Sequence, residues 1–325
     1  MTRARPLREL AWRVFAALGA VMPVPTAVAI SGATLAAQVS TARQPANPAA
    51  FDGEAALRYV RAQVEFGPRV PGTASARRAG DWLVERMRER ADTVIVQTWT
   101  HRTQAGALVP MRNIFAQIRP ALAERVLYVA HWDTRPVSDN EFEAELRERS
   151  GDGANDGASG VGMLLALADA LRKTPPAVGL DILFVDGEDY GTFGPDVDVV
   201  IGAQYFATNL PIANYRPAYG VVWDMIGDRD LRIMQERHSL NGAPEIVERV
   251  WARAAALGYA RQFIVSPGYL VMDDHVPLQR LGWRVIDVID IDYQYHHTMG
   301  DTIDKISAES LRIVGEVALA LVRNR

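Results

Sequence analysis

Six short segments set carboxylates and imidazoles beside apolar runs, and these side chains could hold a metal ion or move a proton. They are Val129-Ala130-His131-Trp132-Asp133-Thr134-Arg135, Gly153-Ala154-Asn155-Asp156-Gly157-Ala158-Ser159-Gly160, Phe184-Val185-Asp186-Gly187-Glu188-Asp189, Val222-Trp223-Asp224-Met225-Ile226-Gly227, Met272-Asp273-Asp274-His275 and Tyr295-His296-His297-Thr298. Singly, each has an ordinary structural use. Asp156 could cap a helix, Asp224 could serve a turn, Glu188-Asp189 could be a solvated loop pair, and His131 a hydrogen-bonded structural histidine. Together they ask for more. A carboxylate at the end of an apolar strand is costly unless a cation or hydrogen bonds compensate it. Several converging on one sheet edge would also repel one another. Zinc bound without thiolates takes three or four His, Asp or Glu ligands and, in a catalytic site, keeps one position open. A metal centre is the simplest account.

Other chemistries are excluded by residue type. The 325-residue chain has no cysteine, which removes disulfides, thiolate zinc sites and cysteine nucleophiles. No Gly-x-Ser-x-Gly elbow is present, and Gly157-Ala158-Ser159-Gly160 has the wrong spacing. There is no phosphate-binding loop ending in Lys-Ser/Thr and no dinucleotide fingerprint after the first strand. Net charge is -4 without a long basic block in the body of the chain, so nucleic acid is not an expected partner.

The elements that must position these groups follow from periodicity. Spacing of three to four predicts helices over Phe51 to Phe66, Ser75 to Arg90, Ala158 to Leu171, Gln204 to Thr208, Pro244 to Leu257 and Ala308 to Val322. Alternation or short buried runs predict strands over Val94 to Thr100, Asn113 to Ile118, Val126 to Ala130, Leu180 to Val185, Gly220 to Ile226 and Arg284 to Ile289. Strands alternating with helices imply a single α/β domain of three layers, with a mixed, mostly parallel central sheet and helices on both faces. In such sheets the site lies outside the carboxyl ends of the strands, where most of the polar segments fall.

The N-terminus reads as an export signal. Arg3, Arg5, Arg8 and Arg13 precede a nearly uncharged stretch from Val14 to Ala37 that ends in small residues. We expect residues 1–37 to be a signal peptide cleaved after Ala37, the rival being an uncleaved anchor spanning roughly 30 Å. Residues 38–50 then form a linker and 51–325 the catalytic domain, periplasmic or secreted, with no stable membrane partner. Nothing in the sequence specifies an oligomeric state.

In order, His131-x-Asp133, Asn155 to Gly160, Glu188-Asp189, Asp224-Met225-Ile226-Gly227 and His297-Thr298 match the motifs of a known family. From about Phe51 to the C-terminus, the chain resembles the zinc exopeptidases that include bacterial leucyl aminopeptidase and the animal-type glutaminyl cyclases. The Asp273-Asp274-His275 double aspartate, His131 to Pro136 and Gly187-Glu188-Asp189 bring it nearest the bacterial cyclase-like branch. The resemblance implies the phosphorylase/hydrolase-like zinc-exopeptidase fold. It also implies that Asp156, Asp189 and His297 bind one catalytic Zn2+ and that Glu188 shuttles the proton. Asp224 and Asp273 would form a carboxylate network beside it. In the two-zinc aminopeptidases, the positions of His131 and Asp224 bind the second ion.

Two residues depart from the pattern. Asp189 is one methylene shorter than the glutamate usual in aminopeptidases. His296 stands where cyclases usually carry a pocket-lining tryptophan. The implied activity is cyclisation of the N-terminal Gln of peptides or proteins. The alternatives are hydrolysis by a two-zinc aminopeptidase and a catalytically inactive secreted binding protein.

Overall fold

The computed structural model describes residues 51–323, so the expected signal and linker lie outside the described residues. The chain opens with two helices, α1 (Gly53–Val64) and α2 (Ala74–Arg88), whose first turns are closed by the side chains of Asp52 and Thr73. Strands β1 (Thr93–Arg102), β2 (Leu108–Ile118) and β3 (Arg125–His131) follow. After them come the short α3 (Ala144–Arg147), the long α4 (Ala158–Lys173) and β4 (Gly179–Val185). Next are α5 (Ile201–Thr208), β5 (Tyr219–Asp224), β6 (Ile233–Gln235) and α6 (Arg237–Gly242). The chain then forms α7 (Pro244–Ala256), β7 (Phe263–Pro267), α8 (His275–Gln279) and β8 (Val285–Ile289). It ends in α9 (Ala308–Arg323).

Six strands form the central sheet in the order β1-β2-β4-β3-β5-β8. Pairing of β4, β3, β5 and β8 is parallel, and β2 is antiparallel to both its neighbours. The expected mixed, mostly parallel sheet is therefore present. Helices cover both faces. Along β3, Tyr128 and Ala130 join the core under α1, α4, α7 and α9, while Leu127 and Val129 join the opposite core under α5 and α8. A strand buried on both faces has no polar alternation, which is why Val126 to Ala130 is a continuous apolar run.

Helix α4 is buried at every residue from Ala158 to Ala168. It can lie this close to the sheet because Gly160 has no side chain: a Cβ there would stand 2.1 Å from the Trp223 carbonyl oxygen. The strand expected to run through Ile226 stops at Asp224 instead. Met225 adopts φ 45 and turns the chain away from the sheet. The elements that periodicity did not predict, α3, α6, α8, β6 and β7, are six residues or shorter. Among the described residues no helix is long and apolar enough to cross a membrane.

Candidate metal centre

Parallel pairing puts the carboxyl ends of β3, β4, β5 and β8 on one rim. His131 is the last residue of β3 and Asp224 the last of β5; Glu188 and Asp189 follow β4 after a turn at Gly187. Asp156 precedes α4, and His297 lies in the turn beyond β8. All six side chains converge on this rim.

Asp156 is the shared member. Its Oδ1 lies 3.1 Å from His131 Nε2, which is also 3.1 Å from Asp224 Oδ1. Its Oδ2 lies 3.6 Å from His297 Nε2, which in turn is 3.1 Å from Asp189 Oδ1. Tetrahedral zinc with bonds of about 2.0–2.1 Å would set ligand atoms about 3.3 Å apart. The observed spacings bracket that edge. Two sets of donors lie close enough to share an ion, Asp156 with His296 and His297, and His131 with Asp156 and Asp224; Asp189, expected as a ligand, falls outside both and reaches the first only through His297. His296 Nε2 lies 4.0 Å from Asp156 Oδ2, and its donor atom is within reach of an ion shared with Asp156 and His297.

The ordinary readings of Asp156 and of Glu188-Asp189 fail here, whereas His131 does hydrogen-bond Asp224, and Asp224 Oδ1 also accepts from the Met225 amide in the turn. The N-cap of α4 is Gly157, without a side-chain cap, and the Asp156 oxygens go to the two imidazoles instead. Glu188 and Asp189 are 6% and 1% exposed, not a solvated pair.

A supporting layer holds these groups, and three of its members, Arg69, Tyr293 and Asp301, escaped the sequence reading. The buried Asp133 carboxylate accepts from the backbone amides of Glu188 (3.2 Å) and Asp189 (3.3 Å). Asp301 accepts from the amides of Asn155 (2.8 Å) and Asp156 (3.1 Å) and from the Tyr293 hydroxyl. The buried Arg69 guanidinium donates to the carbonyls of Trp132, Asp152 and Gly153. Asn155 Oδ1 accepts from the Gly227 amide, and Ser159 Oγ accepts from the Ile226 amide. This ties the start of α4 to the turn after β5. Asp133, Asn155 and Ser159 sit inside segments singled out by their chemistry. Nothing local distinguishes Arg69 or Asp301 from surface residues.

Gly157 closes the layer at φ 88, and a Cβ there would stand 2.7 Å from the Asp133 carbonyl oxygen and 3.1 Å from His131 Cε1. Gly157→Ala is expected to destabilise the fold by about 1–3 kcal/mol through the left-handed backbone alone. A denaturant midpoint equal to that of the wild type would contradict this.

The floor of the rim is strongly acidic. Burial, then the Asp273 charge, pushes the Glu188 carboxyl well above the usual range. Burial and Asp224 push Asp273 up to about 6. Asp274 is fully buried with no hydrogen-bond partner for its carboxylate oxygens, and the fully buried Asp287 faces the Asp273 carboxyl. Burial pushes both well above the ordinary value, with Asp273 the next cause. His297 goes up to about 10, because Asp189 and Asp139 outweigh the burial that opposes its charge. A cation bound here would take the place of such protons.

Above the floor opens a cavity of about 580 Å³. Asp156, Glu188, Asp224, Asp273 and His297 line it, and Phe193, Tyr269, Leu270, Ile291 and His296 form part of its walls. His296 lines this cavity as well as the donor group. Burial, then His297, holds its imidazole below the ordinary range, which suits a neutral planar surface.

A thiolate-free group of carboxylates and imidazoles at the carboxyl rim of an α/β sheet, open to a pocket, defines the molecule as a metalloenzyme. Residues 113–322 match the model of Peptidase family M28, and the chain belongs to this family of zinc enzymes. Its likenesses reach both expected activities. A glutaminyl cyclase of Porphyromonas gingivalis is 40% identical, with a TM-score of 0.80 over 83% of this chain and 96% of that one. A Zn-dependent exopeptidase from Parabacteroides distasonis is 36% identical, with a TM-score of 0.82 over 85% of this chain and 99% of that one. The glutaminyl-peptide cyclotransferase of Bos taurus is 24% identical over 292 residues, 78% of this chain and 77% of that protein. The resemblance read from the motifs is borne out, and so is the zinc-exopeptidase fold.

Proposed function

We propose that this chain is a zinc-dependent glutaminyl-peptide cyclotransferase, closing the N-terminal Gln of peptides or proteins to pyroglutamate with release of ammonia. The observation that carries this reading is the placing of Glu188, Asp224 and Asp273 on one pocket floor with Asp156 and His297. Cyclisation needs a group that takes a proton from an amine and returns it to a departing one. A buried carboxyl whose proton affinity is raised by its neighbours suits that exchange. The likenesses to proteins named glutaminyl cyclase in Porphyromonas gingivalis and Bos taurus support it.

In this reading Asp156, Asp189 and His297 hold one Zn2+, which supplies a Lewis acid toward the side-chain amide carbonyl of the substrate Gln. Glu188 accepts a proton from the α-amine as its nitrogen attacks the side-chain carbonyl carbon. The new carbon–nitrogen bond closes the five-membered ring. Glu188 then gives the proton to the amide nitrogen, whose bond to that carbon breaks to release ammonia. Asp273 and Asp224 hold the network around Glu188. The nucleophile is already tethered to its electrophile, so the walls, His296 among them, mainly supply orientation.

A second reading rests on the His131, Asp156 and Asp224 group, whose donor atoms lie within 4.8 Å of one another. Two ions would then be held, and the enzyme would be an aminopeptidase with Glu188 activating water. Incubation with Gln-initiated and Leu-initiated peptides separates the two. We expect ammonia and pyroglutamyl peptide from the first and nothing from the second. Free leucine without pyroglutamate would establish the aminopeptidase.

A further inference from the structure

Arg135 is outside every role assigned above. It lies on the loop after β3, its side chain 7% exposed, and its guanidinium is used on two sides. Nε and Nη2 donate to the two oxygens of Asp139 at 2.8 and 2.6 Å. Nη1 donates to Asp189 Oδ1 at 2.9 Å and to the Asp189 carbonyl at 3.2 Å. Asp139 Oδ1 stands 3.4 Å from His297 Nδ1, and His297 Nε2 stands 3.1 Å from the same Asp189 Oδ1. The contacts close a ring: Arg135, Asp139, His297, Asp189 and back to Arg135.

The ring is braced from both sides. Phe193 lies under the guanidinium, 5.5 Å from its carbon, and stacks on the His297 imidazole at 6.1 Å. The Asn140 amide donates to the His297 carbonyl at 3.1 Å, fixing a residue that adopts φ 55. Asp189 needs such support more than a glutamate would. Its side chain is too short to adjust its reach, so the carboxylate must be delivered and oriented from outside.

We propose that Arg135 is a positioning residue of the metal centre. It holds Asp189 directly and His297 through Asp139, and so sets the affinity and geometry with which the cation is bound. This rests on reading Asp189 and His297 as ligands. Three donors of a planar fork are spent in two directions, which a lysine ammonium cannot reproduce. The guanidinium charge is offset by the bidentate pairing with Asp139, so its positive charge is not what sets the affinity. Partners of metal ligands typically contribute about 10–100-fold in affinity or activity.

The test compares wild-type protein, Arg135→Lys and His297→Ala in zinc affinity, by competition with a chromogenic chelator, and in the visible spectrum of the cobalt(II)-loaded protein. We expect Arg135→Lys to lose about 10–100-fold in zinc affinity and to change the cobalt spectrum, with the melting point of the metal-free protein close to wild type. Wild-type zinc affinity and cobalt spectrum in Arg135→Lys would overturn the proposal. Wild-type zinc affinity in His297→Ala would instead overturn the ligand set on which it rests. If Arg135→Lys does not fold, Asp139→Ala decides, because the Asp139 side chain is 45% exposed at the rim. A loss of about 10-fold in zinc affinity is expected there, and no loss would overturn the proposal.

Discussion

Glu188→Gln is expected to lower kcat toward a Gln-initiated peptide by about 10²–10⁴-fold, with zinc content per chain unchanged. The side chain is buried on the pocket floor and repelled by the Asp273 charge. Glutamine keeps the volume of Glu188, carries no charge and cannot accept the amine proton. The fold should therefore survive while proton transfer fails. Steady-state kinetics and metal analysis on one preparation check both halves. Loss of zinc would make Glu188 a ligand, and unchanged kcat would move the proton shuttle elsewhere, with Asp273 the first candidate.

Metal removal has the second large effect. Without a cation, Asp156 and Asp189 are compensated by imidazolium charge and hydrogen bonds, and the zinc-bound state adds binding energy to folding energy. At zinc concentrations 100 times the dissociation constant the stabilisation is about 2.7 kcal/mol. For a domain of this size that is a rise in Tm of about 5 °C. Chelated protein should melt lower and lose activity, and zinc should restore both. His297→Ala breaks the link between Asp156 and Asp189 and should abolish the response. A Tm shift of wild-type size in that variant would place the ion elsewhere.

Much of this centre was legible because its members stand where two patterns meet. His131 follows a five-residue apolar run, and Asp156 precedes a strongly apolar helix. A polar side chain at such a junction lands at the rim once the strands pair in parallel. The same logic placed Glu188, Asp189 and Asp224. Residues that act across the fold left no such trace. Arg69 reaches carbonyls 63 to 84 positions away, and Asp301 caps the amide of Asn155 from 146 positions away. No local periodicity distinguishes either from a surface charge. Asp287 was hidden differently: it sits inside a buried strand, where an alternation reading gives it to a face without saying what that face meets. The turn after β5 was misjudged because Met225, an ordinary strand residue by type, takes a left-handed backbone. The hydrogen bonds that hold this turn come from Asn155 and Ser159, far away in the chain.

Diffraction data collected on either side of the zinc absorption edge, from crystals of the zinc-loaded protein, give the most direct test. One anomalous peak within bonding distance of Asp156, Asp189 and His297 is the predicted result. A peak held by His131 and Asp224 without His297, or none on this rim, would contradict it.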